Sequence, residues 1–396
     1  MFSHIAKLIW NRKRSNVLII TEIVITFIVL FAIISATLHN YRLFNLPLGF
    51  NWENTWAIEL NTGSRWNNET DKNQLKAIVE VLKQRPEIAS VGLIRMGVFV
   101  NAHWRSSRPI NGRESIYHSN MVDQDALKNW GVELVAGRWF GEQDNGQSYT
   151  EIVVNQLFVD EYLPDQDPVN FEFGDPEQPQ ILPMRIVGVF KDFRQQGEFS
   201  VPGPYMFTRY QIEEGHTYGV REINIKFKEP KTAAYEATLL KLLKSIAPNW
   251  EFNINSWEKR REQQIQNVVL PLGLAAVVVI FLLIMVAMGL FGVLWQNISR
   301  RTQEIGLRRA IGASERSIRL QIIGEILVLA LFGISIAFIF LIQVPLLQLI
   351  ELVSWSNFWF SLLASVSTIL LIVILCALYP SRTAIKMSPA VALHYE

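Results

Sequence analysis

The sequence has a single cysteine among its 396 residues, Cys376, and this residue lies within a long apolar run. One cysteine cannot form a disulfide within the chain, and its position in an apolar run excludes it as a catalytic nucleophile. Any water-facing domain of this chain must therefore be held together by its own hydrophobic core.

The strings that identify common enzyme sites are also missing. The sequence contains no GxxxxGK[ST] phosphate loop and no GxSxG nucleophile elbow. Acidic pairs such as Asp123 with Asp125 and Glu213 with Glu214 stand in polar loop sequence, which favours a solvated surface over a catalytic pair. We therefore expect no enzyme activity, no catalytic residue and no cofactor in this chain.

The histidines do not form a metal-binding pattern. None of them stands at HxxxH or HExxH spacing, so the sequence predicts no metal site. The six histidines are His4, His39, His103, His118, His216 and His394.

Long hydrophobic runs dominate the sequence, in which 50% of the residues are hydrophobic. A helix needs roughly 20 mainly apolar residues to cross the hydrocarbon layer. Four runs meet this length and predict transmembrane helices. The first is too long for a signal-peptide core and lacks a small-x-small cleavage site, so we interpret it as a retained helix. The four runs are residues 17–38, 267–295, 322–343 and 358–379.

Charges are nearly absent from these runs. Glu22 and Glu325 lie near the start of the first and third runs, close enough to an interface to snorkel. The midplane of the membrane is therefore expected to be uncharged, which argues against a secondary transporter with a midplane ion site.

Lysine and arginine predict the orientation of the chain. They are concentrated in the N-terminal segment 1–16, in the loop 296–321 and in the tail 380–396, whereas residues 38–266 contain 25 basic and 30 acidic residues. The positive-inside bias therefore predicts that both termini and the loop 296–321 are cytoplasmic and that the large domain is outside. The same bias explains the loop arginines without nucleic acid, and we expect no nucleic-acid partner.

The domain predicted at residues 39–266 shows two β-α-β patterns. Strand-like and helical runs alternate over 55–60, 71–84 and 91–100, and again over 222–227, 233–246 and 251–255. Two such units predict a ferredoxin-like α+β core, interrupted by a β-rich insertion at about 101–215 with strands at 151–155 and 184–190. Polar helical sequence at 257–267 predicts a stalk before the second membrane helix, and residues 344–357 form a short outer loop.

The loop between the second and third runs carries an amphipathic pattern. Apolar side chains interleave with Glu304, Arg308 and Arg309, which predicts a short surface helix, and Ser314 is placed to cap the next helix. Physical reasoning leaves two interpretations open, a docking element for a partner and a helix whose arginines contact anionic membrane lipids.

Several strings resemble the FtsX-like permease family. The string RRTQEIGLRRAIGAS at 300–314 is similar to the family's coupling-helix signature, and the basic start WNRKRSN and the tail from Tyr379 are similar to the family's termini. The strings GRWF at 137–140 and IVGVFKDF at 186–193 resemble a MacB-like periplasmic core domain.

This resemblance implies an architecture and partners. It implies four helices, an extracytoplasmic porter part with an inserted subdomain, a helical stalk, and assembly as a homodimer or as a heterodimer with a similar permease, in a bacterial inner membrane. Members pair with ABC-type ATPases through the coupling helix, and we expect the ATPase to be a separate chain. The residues implied to form that helix are Glu304, Ile305, Gly306, Leu307, Arg308, Arg309, Ala310, Ile311 and Gly312.

The resemblance implies a permease subunit that transmits ATP-driven motion across the membrane, for export or extraction of a peptide, lipoprotein or drug-like substrate. The alternative is an FtsX-type regulator that activates a cell-wall hydrolase without transport, and a third interpretation is a receptor without an ATPase. The sequence leaves open the cargo and whether a periplasmic adaptor or an outer-membrane channel joins the complex.

Overall fold

A computed structural model describes residues 13–62, 69–174, 181–212, 220–347 and 353–386, without the side chains of 13–16, 302, 309 and 382–386. Two compact units are present. The helical unit comprises the chain up to Arg42 and from Val269 onward, and the β-sheet unit comprises Leu43–Val268. Parts of several predicted segments therefore lie outside the described residues, namely 1–12, 213–219, 348–352 and 387–396. Glu213, Glu214, His4, His216 and His394 lie in these parts.

The helices are numbered α1 to α10 in chain order. They are α1 Lys13–Phe44, α2 Glu69–Lys83, α3 Ala126–Asn129, α4 Gln156–Tyr162, α5 Ala233–Ile246, α6 Trp257–Arg300, α7 Thr302–Ala310, α8 Glu315–Leu341, α9 Gln343–Leu346 and α10 Trp355–Lys386.

The strands are numbered β1 to β11 and form a single sheet in the described residues. They are β1 Thr55–Asn61, β2 Ile88–Ile94, β3 Trp104–Ile110, β4 Arg113–Val122, β5 Leu134–Gly137, β6 Thr150–Asn155, β7 Glu172–Phe173, β8 Met184–Phe190, β9 Tyr205–Arg209, β10 Glu222–Phe227 and β11 Glu251–Ser256.

Four helices in the described part of the chain are long and apolar enough to span a membrane, namely α1, α6, α8 with the adjoining α9, and α10. Their apolar cluster is built from side chains such as Phe27, Leu290 and Phe358. Among the buried polar side chains of these helices is Asn357 of α10, which donates to the backbone oxygen and to the Oγ of Ser35 in α1 at 3.1 and 3.2 Å. A buried amide bonded in this way fixes the register of α10 against α1.

The first part of the sheet has the strand order β11-β1-β10-β2, all antiparallel. The helices α2 and α5 contribute Leu75, Ile78, Leu239 and Leu243 to the core on one face. Two β-α-β units with this interleaved order form the ferredoxin-like fold expected from the two patterns. The strand predicted at 91–100 is shorter than expected, because β2 ends at Ile94 and the following chain turns through Phe99, whose φ is +57°.

The inserted part continues the same sheet. Its strands run in the order β4-β9-β6-β8-β5, and one residue pair, Ile94 with Val122, connects them to β2. The predicted strands at 151–155 and 184–190 are present as β6 and β8. The β3-β4 hairpin was not predicted, since Trp104–Ile110 has mostly polar or exposed side chains and no apolar alternation.

Two glycines bring the GRWF and IVGVFKDF strings together. Gly137 at the end of β5 is opposite Gly188 of β8, and the Arg138 amide donates to the Val187 carbonyl at 2.9 Å. A Cβ on Gly137 would overlap that carbonyl oxygen. The absence of side chains is therefore what permits this strand pairing.

The glycine pairing gives a matched test. Gly137 and Gly112 have the same backbone conformation, with φ of +71° and +72°, but a Cβ on Gly112 meets nothing within 4 Å. Gly112→Ala should cost about 1 kcal/mol from the positive φ alone. Gly137→Ala should cost at least about 2 kcal/mol more, because the backbone of β8 must move.

Thermal unfolding of the purified full chain in detergent measures both variants. Equal destabilisation of the two variants would contradict the close packing of β5 on β8.

Candidate functional site: the segment between the second and third membrane helices

The segment between α6 and α8 folds as the predicted short helix, α7. Gly312, at φ +101°, ends this helix, since the Ala313 amide donates to the Arg308 carbonyl at 3.0 Å and the Ile311 amide donates to Leu307 at 3.1 Å. This is a Schellman-type end, which requires a left-handed residue and favours glycine. The predicted cap of the next helix is confirmed, because the Ser314 side chain accepts from the Ser317 amide.

Charged side chains tie α7 to α8. Arg308 pairs with Glu304 one turn earlier, with 2.7 Å between nitrogen and oxygen, and also donates to Gln321 of α8 at 2.8 Å. Gln321 in turn donates to Glu325 at 3.3 Å. Arg308 is therefore already partnered within the chain and is not a free cation awaiting a ligand.

The same network reaches the junction of α6 and α7. Arg301 donates to both carboxylate oxygens of Glu325, at 3.1 and 3.0 Å, and each of the two side chains is about one-fifth to one-quarter exposed. Glu325 was expected to snorkel at an interface, but it is paired across two helices instead. In this partly buried ion pair one guanidinium nitrogen, Nη1, reaches both carboxylate oxygens, and the pair fixes the start of α7 relative to α8.

The apolar residues of α7 differ in exposure. Leu307 is 52% and Ile311 79% exposed, whereas Gly306 is buried and Ile305 half-buried. Leu307 and Ile311 are four residues apart, which places them on one face of the helical segment. Two large apolar side chains on one face of a short, anchored helix form a surface suited to docking.

The remaining predicted residues of the segment add no further large apolar side chain to this surface. Glu304, Arg308, Ala310 and Gly312 are exposed, and the side chain of Arg309 lies outside the described residues. Among the side chains that the structure describes, no group of three metal-ligating residues is present.

The sequence analysis missed three participants, Arg301, Gln321 and Glu325. The four-residue spacing of Gln321 and Glu325 was a local signal for a helix-surface pair. The contact between Arg301 and Glu325 joins different helices, 24 positions apart. No periodicity in the sequence indicates such a pair.

Comparison with known protein families gives two matches. A model described as the MacB-like periplasmic core domain matches residues 17–241, and a model described as FtsX-like permease C-terminal matches residues 276–389. The candidate segment at 300–314 lies within the second match. The resemblance drawn from the sequence strings is confirmed.

Individual relatives are more distant. The chain is 25% identical to macrolide export ATP-binding/permease protein MacB 2 of Aeromonas hydrophila, over 69% of this chain and 43% of that protein. It is 26% identical to MacB of Neisseria gonorrhoeae, over 51% of this chain and 31% of that protein. The chain thus matches less than half the length of these exporters. An uncharacterized ABC transporter permease of Bacillus subtilis, YvrN, is 24% identical over 69% of each chain.

Among solved structures, the periplasmic region of MacB from Actinobacillus actinomycetemcomitans aligns with 57% of this chain and 98% of its own, at 18% identity and a TM-score of 0.39.

The Arg301–Glu325 pair is testable by a double-mutant cycle. Arg301→Gln and Glu325→Gln should each lower the free energy of unfolding of the purified chain. The loss in the double variant should be smaller than the sum of the two single losses by about 1 kcal/mol, since the pair is partly buried. Thermal unfolding in detergent measures the effect. Arg300→Gln combined with Glu325→Gln is the control, because Arg300 is exposed, and these two changes should add. Additivity in the Arg301 cycle would show that the pair contributes nothing.

Proposed function

Since the chain belongs to the family with a MacB-like periplasmic core domain and carries an FtsX-like permease region, we propose that it is the permease subunit of an ABC transporter. Family matches over residues 17–241 and 276–389 carry this proposal. The 396 residues contain no GxxxxGK[ST] phosphate loop. In this proposal ATP is bound and hydrolysed by an ABC-type ATPase on a separate partner chain.

The partner would dock on α7. Leu307 and Ile311 offer an exposed apolar pair, and Glu304 and Arg308 flank it with charge. An apolar centre surrounded by a polar rim is the usual composition of a protein interface. Arg308 is already bonded to Glu304 and Gln321, which favours a structured docking surface over binding of this side chain to lipid headgroups.

Motion of the ATPase would then pass into the membrane helices. The Arg301–Glu325 pair fixes the junction of α6 and α7 to α8, so a displacement of α7 moves its two neighbouring helices with it. The helix α6 is described as one element from Trp257 to Arg300, and its first residues belong to the β-sheet unit. A helix is stiff along its axis because its hydrogen bonds are internal. We propose that α6 carries ATP-driven displacement to the β-sheet unit.

The orientation follows the arginine and lysine bias, with both termini and α7 on the cytoplasmic side of a bacterial inner membrane. Two of the relatives are named macrolide export proteins. The substrate class proposed for this chain is correspondingly a peptide, lipoprotein or drug-like molecule handled by the β-sheet unit, with the permease assembled as a dimer.

Purification of the chain from its native membrane in mild detergent tests the partner. We expect an ATPase with a phosphate-loop motif to accompany the chain in stoichiometric amount. Glu304→Arg should remove it, because the change reverses the charge at the docking face and places a second cation beside Arg308.

Glu258→Arg is the matched control, since Glu258 is an exposed acid at the start of α6 within the β-sheet unit. It should retain the ATPase. Isolation of the wild-type chain without an ATPase, under conditions that preserve other membrane complexes, would overturn the proposal and favour the receptor interpretation. Co-purification of a cell-wall hydrolase would favour the regulator interpretation.

The apolar anchors give an independent test. Leu307→Ser combined with Ile311→Ser should weaken ATPase binding by at least about tenfold, the factor expected from losing more than 1.4 kcal/mol of apolar contact. Binding of purified ATPase to the chain in nanodiscs measures this. The control is Leu320→Ser, an exposed leucine on α8, for which we expect unchanged binding. Unchanged binding in the double variant would exclude Leu307 and Ile311 as anchors.

A further inference from the structure

The loop Lys191–Ser200, called the root loop here, follows β8 and contains a buried arginine. Arg194 is 2% exposed, and its Nη1 donates to the carbonyl oxygens of Leu43 and Leu46, both at 3.0 Å. Leu43 lies in the last turn of α1, and its carbonyl also accepts a turn hydrogen bond from the Leu46 amide at 3.1 Å. Arg194 therefore completes the C-terminal end of the first membrane helix, within the β-sheet unit.

The other donors of Arg194 hold the root loop itself. Its Nη2 donates to the carbonyls of Glu198 and Ser200, the second at 2.8 Å, and its Nε donates to Ser200 at 3.2 Å. The Arg194 amide also donates to Leu48 at 2.9 Å. All three guanidinium nitrogens thus donate to backbone oxygens, and the positive charge lies at the negative end of the α1 dipole. Burial lowers the pKa of Arg194, and the nearby Asp192 and Glu198 carboxylates oppose that shift.

The next acidic residue of the same loop contacts the second membrane helix. Glu198 is buried, and its Oε1 pairs with the Nε of Arg261 in the second turn of α6. The Arg261 guanidinium also lies over the ring of Trp52, 4.6 Å from its centroid. The Glu198 Oε2 has no hydrogen-bond partner in the described residues. Arg261 is therefore the cation that hydrogen-bonds the buried Glu198 carboxylate, and the Arg194 guanidinium lies nearby.

The start of α6 is attached to the sheet independently. Trp257 is fully buried and donates to Asn224 of β10 at 3.2 Å. Arg260 bridges Glu222 of β10 and Glu59 of β1, both at 2.7 Å. These contacts fix the first turns of α6 to the two central strands of the ferredoxin-like part.

The root loop is likewise fixed at its centre. Gln195 donates to the Gly97 carbonyl at 2.8 Å, and its Oε1 accepts from the Tyr205 hydroxyl at 2.6 Å. The Phe99 amide donates to the Gln195 carbonyl at 2.8 Å. The loop is therefore held firmly at Gln195, with Arg194 before this attachment in the sequence and Glu198 after it.

We propose that the root loop is a mechanical link that makes the end of α1 and the start of α6 move together. Arg194 holds α1, Glu198 holds α6, and the two residues are only four positions apart in one rigid loop. Resting on the proposed function, this assigns Arg194 and Glu198 as positioning residues, which deliver displacement of both membrane helices to the sheet as a single motion.

Hydrogen exchange of the purified full chain in nanodiscs tests the link without any ATPase. Glu198→Gln keeps the size of the side chain but removes the charge that holds Arg261. We expect amide exchange to become roughly tenfold faster over residues 43–48 as well as over 257–264, a factor equivalent to about 1.4 kcal/mol. Residues 43–48 are informative because the Glu198 side chain pairs with Arg261 of α6, whereas residues 43–48 are held by Arg194 of the same loop.

Two matched variants accompany this measurement. Glu258→Gln changes an exposed acid of the same unit and should exchange like the wild type. Arg261→Lys keeps the charge and should give an intermediate rate. Faster exchange confined to 257–264 in Glu198→Gln would overturn the link.

A second measurement separates coupling from a merely structural role. In the complex with its ATPase, adding ATP should change exchange over both 43–48 and 257–264 in the wild type. In Glu198→Gln the response over 43–48 should be lost while that over 257–264 remains. Persistence of both responses would overturn the role in coupling. Absence of an ATPase partner would overturn the proposed function, while the exchange measurement on the chain alone would still decide whether the link exists.

Discussion

The helix α6 satisfies its backbone hydrogen bonds internally, and this property allows one element to pass from polar surroundings into hydrocarbon. Its first residues, from Trp257 to Val268, belong to the β-sheet unit, and its remaining residues belong to the helical unit. The single proline, Pro271, removes one backbone donor from the helix, yet α6 continues through it to Arg300. The contacts at the two ends of α6 therefore bear on what we propose it transmits.

Different charge arrangements hold those two ends. Near Trp257, the buried Arg260 pairs with two carboxylates, and its loss would leave the buried Glu222 carboxylate without its partner cation. Near Arg300, the Arg301–Glu325 pair is only partly buried and extends through Gln321 to the half-exposed Arg308. Partly exposed pairs are weaker and easier to rearrange. The structure is therefore firm where α6 enters the sheet and adjustable where we propose that a partner docks.

Much of the architecture can be predicted from the sequence, for physical reasons. Four apolar runs of sufficient length identify the membrane helices, since nothing else in a chain requires such runs. The ferredoxin-like order follows from two β-α-β patterns that bury alternating apolar residues such as Ile223 and Ile225. The β3-β4 hairpin lacks that alternation and was not predicted. At the candidate segment, the helix, its exposed apolar pair and the Ser314 cap depend on local spacing, whereas the Arg301–Glu325 contact depends on how two helices pack.

The contacts of the buried Arg194 could not be predicted from local sequence patterns. Arg194 stands in a loop sequence, KDFRQQGEFS, that offers no periodic signal, and its acceptors at Leu43 and Leu46 are about 150 positions away. A buried guanidinium is tolerated only where the fold supplies an acceptor for each nitrogen, and backbone carbonyls at a helix end are such acceptors. The IVGVFKDF string supplies the strand before this loop, and Gly188 within it lets β5 pack against β8. The string therefore determines where the root loop begins. Within that loop, Arg194 contacts the end of α1 and Glu198 contacts the start of α6.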